Sequence, residues 1–376
     1  MKRIHLLIFA ICVSNILWAC KKKESIDTSY LTLKVNLDKL DSNKWENIFK
    51  EVEVIPLEFN SESMLSSIDK IIFQDRQYLV LDKKTNIIYK FDSKGKYISK
   101  LDKLGEGPDE YFPISDFNIN PYSGNIELTS IYGLFYIYDI NFSWLETIEI
   151  QEVSSINKFE YLDKDIITLY CSNDRNYNLW LYSRSSKDYV NKLSMPQSIF
   201  ESFGGTMLNN PLANSSTGQF YCVPFINSIY SIKQEGATLQ YVWDFGGNTF
   251  ESGTLVIGDP HQKFIDQYEY NIVNGFGSLY NYFDYESTIF AQFYFKNNFG
   301  TMLYNKVSNK YQIYYDNYTH SLTIHYLVDG YISYTSEENL EKVLKNANTT
   351  FNAKNMIQKN HEPNPILLKY KFKETR

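Results

Sequence analysis

The stretch from Lys70 to Tyr111, KIIFQDRQYLVLDKKTNIIYKFDSKGKYISKLDKLGEGPDEY, decides the architecture. Apolar and polar residues alternate through four short runs: Lys70 to Gln74, Tyr78 to Asp82, Ile87 to Asp92 and Tyr97 to Leu101. Period-two alternation over five or so residues is the pattern of a half-buried strand. Turn residues separate the runs at Gln74-Asp75-Arg76-Gln77, Lys83 to Asn86 and Ser93-Lys94-Gly95-Lys96. Gly95 can take a positive φ without a steric penalty. The stretch therefore predicts a four-stranded antiparallel meander, closed by the Gly-Pro loop Gly105 to Tyr111.

Weaker copies recur. A shift of 47 residues lays Ile88 to Leu101 (IYKFDSKGKYISKL) on Phe135 to Ile148 (FYIYDINFSWLETI), aromatic on aromatic and Asp92 on Asp139. Leu179 to Tyr182, Ser228 to Ile232, Met302 to Asn305 and Ile366 to Phe372 repeat the third strand, with outer strands at Leu239 to Trp243 and Tyr311 to Tyr315. Repeats of roughly 40 to 50 residues carrying four strands each are propeller blades. The expected fold is an all-β, six-bladed β-propeller of four-stranded antiparallel blades. Only four residues follow Ile366 to Phe372, too few for a last outer strand, whereas a spare strand, Val52 to Leu57, precedes the first blade. Pairing the two closes the ring and protects both open edges. Pro56 fits such an edge position.

Two departures break the period. Residues 245–274 carry Gly246-Gly247, Gly258 to His261 and a helix-compatible run, Gln262 to Tyr270. In residues 336–363, Ser336 is a plausible N-cap, followed by Leu340, Val343, Leu344 and Ala347 at helical spacing. A short helix over one rim of the ring is expected there.

Residues 1–19 read as a signal peptide: Lys2 and Arg3 precede an apolar run from Leu6 to Leu17 that is shorter than the roughly 20 residues of a membrane span. Leu17-Trp18-Ala19-Cys20 resembles the lipobox of bacterial lipoproteins, which makes Cys20 the expected lipidated residue, followed by a tether over residues 20–44 and the propeller over 45–376. Lipidation with more than one chain anchors a protein stably to a membrane. Lys21 to Lys23 stand where, in the bacteria whose lipoproteins this chain resembles, surface-exported proteins tend to carry acids, so the resemblance implies a cell-envelope location, at the outer membrane facing the periplasm. Losing Lys2 and Arg3 takes the formal charge from −7 to −9. With no basic stripe in the sequence, nucleic acid is not an expected partner. Cys171 and Cys222 each sit in an apolar run and are expected to be buried thiols rather than a disulfide.

At Ile55 to Glu58, Asp82 to Asn86, Phe91 to Lys96 and above all Gly105 to Tyr111, the chain resembles a family of six-bladed β-propeller lipoproteins of Gram-negative gut bacteria, related in shape to NHL-repeat propellers. Pro224-Phe225, Ile229-Tyr230, Asp244 to Gly246 and Asn364 to Leu367 extend the resemblance over nearly the whole mature chain. It implies a propeller and a lipid anchor, and brings no catalytic residue with it.

The Gly105 to Tyr111 loop lacks the strand-to-helix setting of a phosphate loop and the ligand spacing of a calcium loop. It reads as a blade crossover with two special backbone angles and Tyr111 packed beneath. His320 and His325 are five apart on one expected strand and face opposite ways, while His261 and His361 lie in the departures, so no metal or other cofactor is expected. Candidate channel or rim residues are Asp69, Asp116 and Glu160, near the starts of inner strands, with His261, His320 and the aromatics Tyr280 and Tyr282, read as a loop suited to a sugar ring or protein surface. The expected function is non-catalytic binding of a protein or glycan partner through the rim bearing the departures. The alternative is a hydrolase or lyase acting on a sugar derivative at the central channel.

Overall fold

The computed structural model describes residues 30–38, 49–153, 155–171, 176–196, 211–222, 226–249, 277–296, 298–316, 325–327, 330–346 and 364–373. Six sheets make the ring. Blade one is β3 (Lys70–Gln74), β4 (Gln77–Asp82), β5 (Ile87–Asp92) and β6 (Tyr97–Leu101). Blade two is β7 (Ile114–Ile119), β8 (Ile126–Ser130), β9 (Leu134–Tyr138) and β10 (Trp144–Glu149). Blade three is β11 (Lys158–Tyr161), β12 (Ile166–Tyr170), β13 (Leu179–Ser183) and β14 (Asp188–Leu193). Blade four is β15 (Leu212–Ser215), β16 (Gly218–Tyr221), β17 (Ser228–Lys233) and β18 (Gly236–Asp244). Blade five is β19 (Ser278–Tyr285), β20 (Thr288–Phe295), β21 (Asn298–Asn305) and β22 (Lys310–Asp316).

Blade six joins both ends of the chain. β23 (His325–Leu327), β24 (Gly330–Thr335) and β25 (Ile366–Phe372) come from the C-terminal part, and β2 (Phe49–Pro56) supplies the outer strand, antiparallel to β25 from Phe49↔Phe372 to Pro56↔Ile366. Pro56 is the last residue of that edge strand, where its missing N–H costs no ladder bond. The closure is locked against blade one: the Glu58 N–H donates to Gly95 O at 2.8 Å, and Glu58 Oε2 accepts from the Tyr97 N–H at 2.9 Å. Gly95 has φ +81°, and a Cβ there would overlap the Pro56 carbonyl.

The core is divided among the blade interfaces. One cluster joins Leu79, Leu81 and Ile88 of blade one to Phe117, Leu128 and Tyr138 of blade two, and another joins Ile71, Val80 and Phe91 to Ile332 and Leu367 of blade six. Equivalent clusters fill the other four interfaces. The abundant Tyr and Phe serve here, since flat blades packed face to face need broad side chains that also suit pleated strands. Cys171 and Cys222 are buried in different clusters and no disulfide joins them.

Two expectations need correction. Residues 31–38 are not all tether: β1 (Leu31–Lys34) adds to the outside of blade four, parallel to β18, and Leu33, Val35 and Leu37 are buried at the interface of blades four and five. Their alternation, LTLKVNL, is a strand pattern in a polar neighbourhood. In the Gly105 to Tyr111 crossover, neither glycine takes a positive φ. Gly105 leaves room for the Glu110 carboxylate, which a Cβ there would displace and which accepts the Gly107 N–H at 2.8 Å. Tyr111 is fully buried beneath, as expected. Its hydroxyl accepts from the Lys103 N–H and shares its hydrogen between the carbonyls of Asn86 and Leu101.

The helix is α1 (Glu337–Asn346), directly after Ser336. Leu340, Val343 and Leu344 pack on Phe49, Tyr331 and Leu368 at the interface of blades five and six. Ala347, the expected helix at Gln262 to Tyr270, and His361 lie outside the described residues.

Candidate functional site

Successive turns of a meander alternate between its two ends. In every blade, the crossover from the preceding blade and the turn between second and third strands share one end, here called the crossover end. The first-to-second and third-to-fourth turns share the other. Asp69, just before β3, Lys83 in the β4–β5 turn, Lys158 at the start of β11 and His325 at the start of β23 all belong to the crossover end. So does α1, which follows the second strand of blade six, and so do the points where the chain leaves blade four after Asp244 and enters blade five at Ser278.

Asp116, on inner strand β7, is the centre of this end. It is fully buried, and Oδ1 lies 3.1 Å from Lys70 Nζ and 3.6 Å from Lys158 Nζ, while Oδ2 accepts from the Phe159 N–H at 3.2 Å. Blades one, two and three thus meet on one carboxylate. Burial alone would push its pKa up, but Lys158, Lys70 and Lys83 outweigh burial and hold it below the usual carboxylate range. Lys70 Nζ also donates to Asn118 Oδ1 at 2.9 Å, and Asn118 Nδ2 donates to Phe159 O at 2.7 Å.

Lys83 completes the cluster. Its backbone N–H donates to Asp69 Oδ2 at 2.8 Å, and Asp69 Oδ2 also accepts from the Ser67 hydroxyl at 2.6 Å. Among the described residues, no carboxylate lies within 4.0 Å of the Lys83 ammonium. Burial pushes its pKa down to about 8, reinforced by Lys158 and opposed by Asp116 and Asp69. Beyond Lys70 stands His325, half-buried, whose pKa is pushed down to about 4 by burial and by the Lys70 charge, so it is neutral at pH 7.

The sequence-derived candidates distribute unevenly around this cluster. Asp69 and Asp116 belong to it. Glu160 lies on β11, two residues past Lys158, and its Oε2 accepts from Asn214 Nδ2 at 3.0 Å, tying blade three to blade four. Tyr282 is not on an exposed loop: SLYNYFDY is inner strand β19, and Tyr282 is 3% exposed, packed on Phe220 and Tyr241 with its hydroxyl donating to Asp284 Oδ2 at 2.8 Å. Asn281 sits in the ladder opposite Gln292. Tyr280 is on the same strand by its backbone, and its side chain lies outside what is described, as do His261 and His320. Among the described residues, no three His, Cys, Asp or Glu side chains gather as a metal site. Sequence reasoning did not select Lys70, Lys83 and Lys158. The available signal was a lysine opening the inner strands of blades one and three, where an apolar residue would pack more cheaply.

Among solved structures, a protein of Bacteroides fragilis NCTC 9343 described as exported is similar to this chain with a TM-score of 0.69 and 17% identity, covering 92% of this chain and 100% of that one. A member of the DUF4221 family from Bacteroides vulgatus ATCC 8482 has a TM-score of 0.52 and 9% identity over 88% and 99% of the two chains. At these identities the likeness concerns the fold. No curated protein sequence matches. The family described as a domain of unknown function, DUF4934, matches residues 29–371, and the chain belongs to that family.

Proposed function

We propose that the chain is exported, lipidated at Cys20 and held at the periplasmic face of the outer membrane, where its NHL-like ring binds a protein or glycan partner at the crossover end without turning it over. One observation carries this reading: the candidate acids of the channel end are already engaged by protein groups, Asp116 and Glu160 across blade interfaces and Asp69 within blade one. Asp116 holds two ammonium groups and a backbone N–H, Asp69 holds the Lys83 N–H and the Ser67 hydroxyl, and Glu160 holds Asn214. Carboxylates held this way act as structural ties, whereas an acid or base in catalysis must be able to reach its substrate's proton. The crossover end also carries α1 and the points where the chain enters and leaves both departures from the repeat, and excursions from a rigid scaffold are where binding residues concentrate. The exported Bacteroides fragilis relative and the signal-like N-terminus support the location.

Photo-crosslinking residues placed at Lys84, on the β4–β5 turn, and at Lys187, on the β13–β14 turn at the opposite end, test the reading in cells. Both positions are exposed. Capture of one defined partner from Lys84 and not from Lys187 is expected, and the reverse pattern overturns the assignment. Turnover of a bound saccharide by the purified chain would overturn the non-catalytic part. Cys20→Ser is expected to move the protein from the membrane to the soluble fraction.

A further inference from the structure

The ammonium groups around Asp116 outnumber the carboxylates that face them, while a third buried acid, Asp82, is engaged by the Ser67 hydroxyl and the N–H groups of Ser66, Lys84 and Thr85. Three ammonium groups, those of Lys70, Lys83 and Lys158, face two carboxylates, Asp116 and Asp69, and His325 beside them is neutral at pH 7. The excess is one positive charge in a partly desolvated place: the side chains of Lys70 and Lys158 are 15% and 11% exposed. A lysine is a strongly hydrated ion, and withdrawing it from water without a partner is costly.

Hydrogen-bond capacity tells the same story independently of charge. An ammonium group carries three donors. Lys70 directs two, to Asp116 Oδ1 and Asn118 Oδ1. Lys158 approaches Asp116 only at 3.6 Å, and the Lys83 ammonium has no acceptor among the described residues. Each Asp116 oxygen takes one hydrogen bond, from Lys70 and from the Phe159 N–H, and neither the Lys158 nor the Lys83 ammonium comes within hydrogen-bond distance of the lone pairs that remain. The donors come from three elements, β3, the β4–β5 turn and β11, which the ring brings to one end of the channel. A fixed set of donors with surplus positive charge is complementary to a small oxyanion.

We propose that Lys70, Lys83 and Lys158 form an oxyanion-binding site at the crossover end of the channel, which receives one carboxylate or sulfate group of an acidic ligand. This rests on the reading of that end as the binding end and names the chemistry of what binds there. Asp116 serves as the positioning residue that holds two of the three ammonium groups in place, and Lys83 carries the charge the ligand neutralises.

Calorimetric titration of the purified full chain with sulfate, glucuronate and glucose tests the site. Saturable binding of glucuronate or sulfate and none of glucose is expected, and the stronger of the two anions identifies the group the site prefers. Lys83→Met and Lys158→Met, each verified as folded by circular dichroism, are expected to weaken anion binding at least tenfold. Anion binding unchanged in both variants, or no saturable binding of either anion, overturns the site. The wider reading fails separately: partner capture from Lys84 that persists in Lys83→Met removes the oxyanion site and keeps the binding end, whereas a lysine-dependent anion titration with partner capture only from Lys187 does the opposite.

Discussion

Lys70 Nζ stands 3.1 Å from Asp116 Oδ1, and the two residues belong to the inner strands of adjacent blades. The contact is a tie across a blade interface made at a buried carboxylate that Lys158 approaches from the far side. Removing that carboxylate's charge leaves two ammonium groups in a desolvated place without a counter-ion. Breaking a buried pair from one side typically costs about 3–5 kcal/mol. Asp116→Asn is expected to lower the unfolding free energy by that order in urea titration at pH 7. A loss under about 1 kcal/mol would show that water already solvates the cluster.

Lys83 gives the opposite sign. Its folded pKa of about 8 lies below the ordinary lysine value of 10.5, mainly through burial and then through Lys158, with Asp116 and Asp69 opposing and Lys70 adding. Between those two pH values the unfolded chain binds a proton that the native chain does not, so native stability climbs with pH across that window and the full penalty stands below it. Lys83→Met is expected to stabilise the protein by about 1–3 kcal/mol at pH 7 and to flatten the stability profile between pH 8 and 10.5. The same variant is expected to lose anion binding, and a variant that gains neither stability nor flatness contradicts the buried-ammonium picture.

The Tyr111 hydroxyl ties the crossover between blades one and two to three backbone groups. Tyr111→Phe keeps the ring's packing and strands those partners. A loss of about 1–3 kcal/mol is expected, the cost of unsatisfied buried polar groups, with faster amide exchange at Lys103 as the local readout.

Closure of the ring is testable at one atom. Gly95→Ala introduces a methyl group where φ is +81° and the Pro56 carbonyl already fills the space. About 1–3 kcal/mol of strain is expected, appearing as a lower Tm and as earlier proteolysis within residues 49–58. Cleavage starting elsewhere would place the weakest seam at another interface.

Blade one is legible almost to the residue, because its alternation, its turn residues and Gly95 all agree, and the ring closure follows from counting strands. What escaped has a physical reason in each case. Leu31 to Leu37 alternate correctly, but only four apolar residues among polar neighbours carry the signal. Tyr282 belongs to a strand that contains asparagine and aspartate, so composition argued for a loop while the ladder absorbed both residues. Lys70, Lys83 and Lys158 are far apart in the chain, and lysine is ordinarily a surface residue. Only the ring makes them neighbours.

β1 runs parallel to β18, with Leu31 opposite Tyr241 and Lys34 opposite Asp244. β18 travels toward the crossover end, so the chain enters the ring from the other end. Cys20 lies eleven residues before Leu31, a reach of about 40 Å at full extension. With the lipid at Cys20, that short leash attaches on the side away from the lysines. Under the proposed lipidation at Cys20, the parallel strand would set the molecule's posture: the ring would stand with its back to the bilayer and its charged mouth open to the compartment beyond.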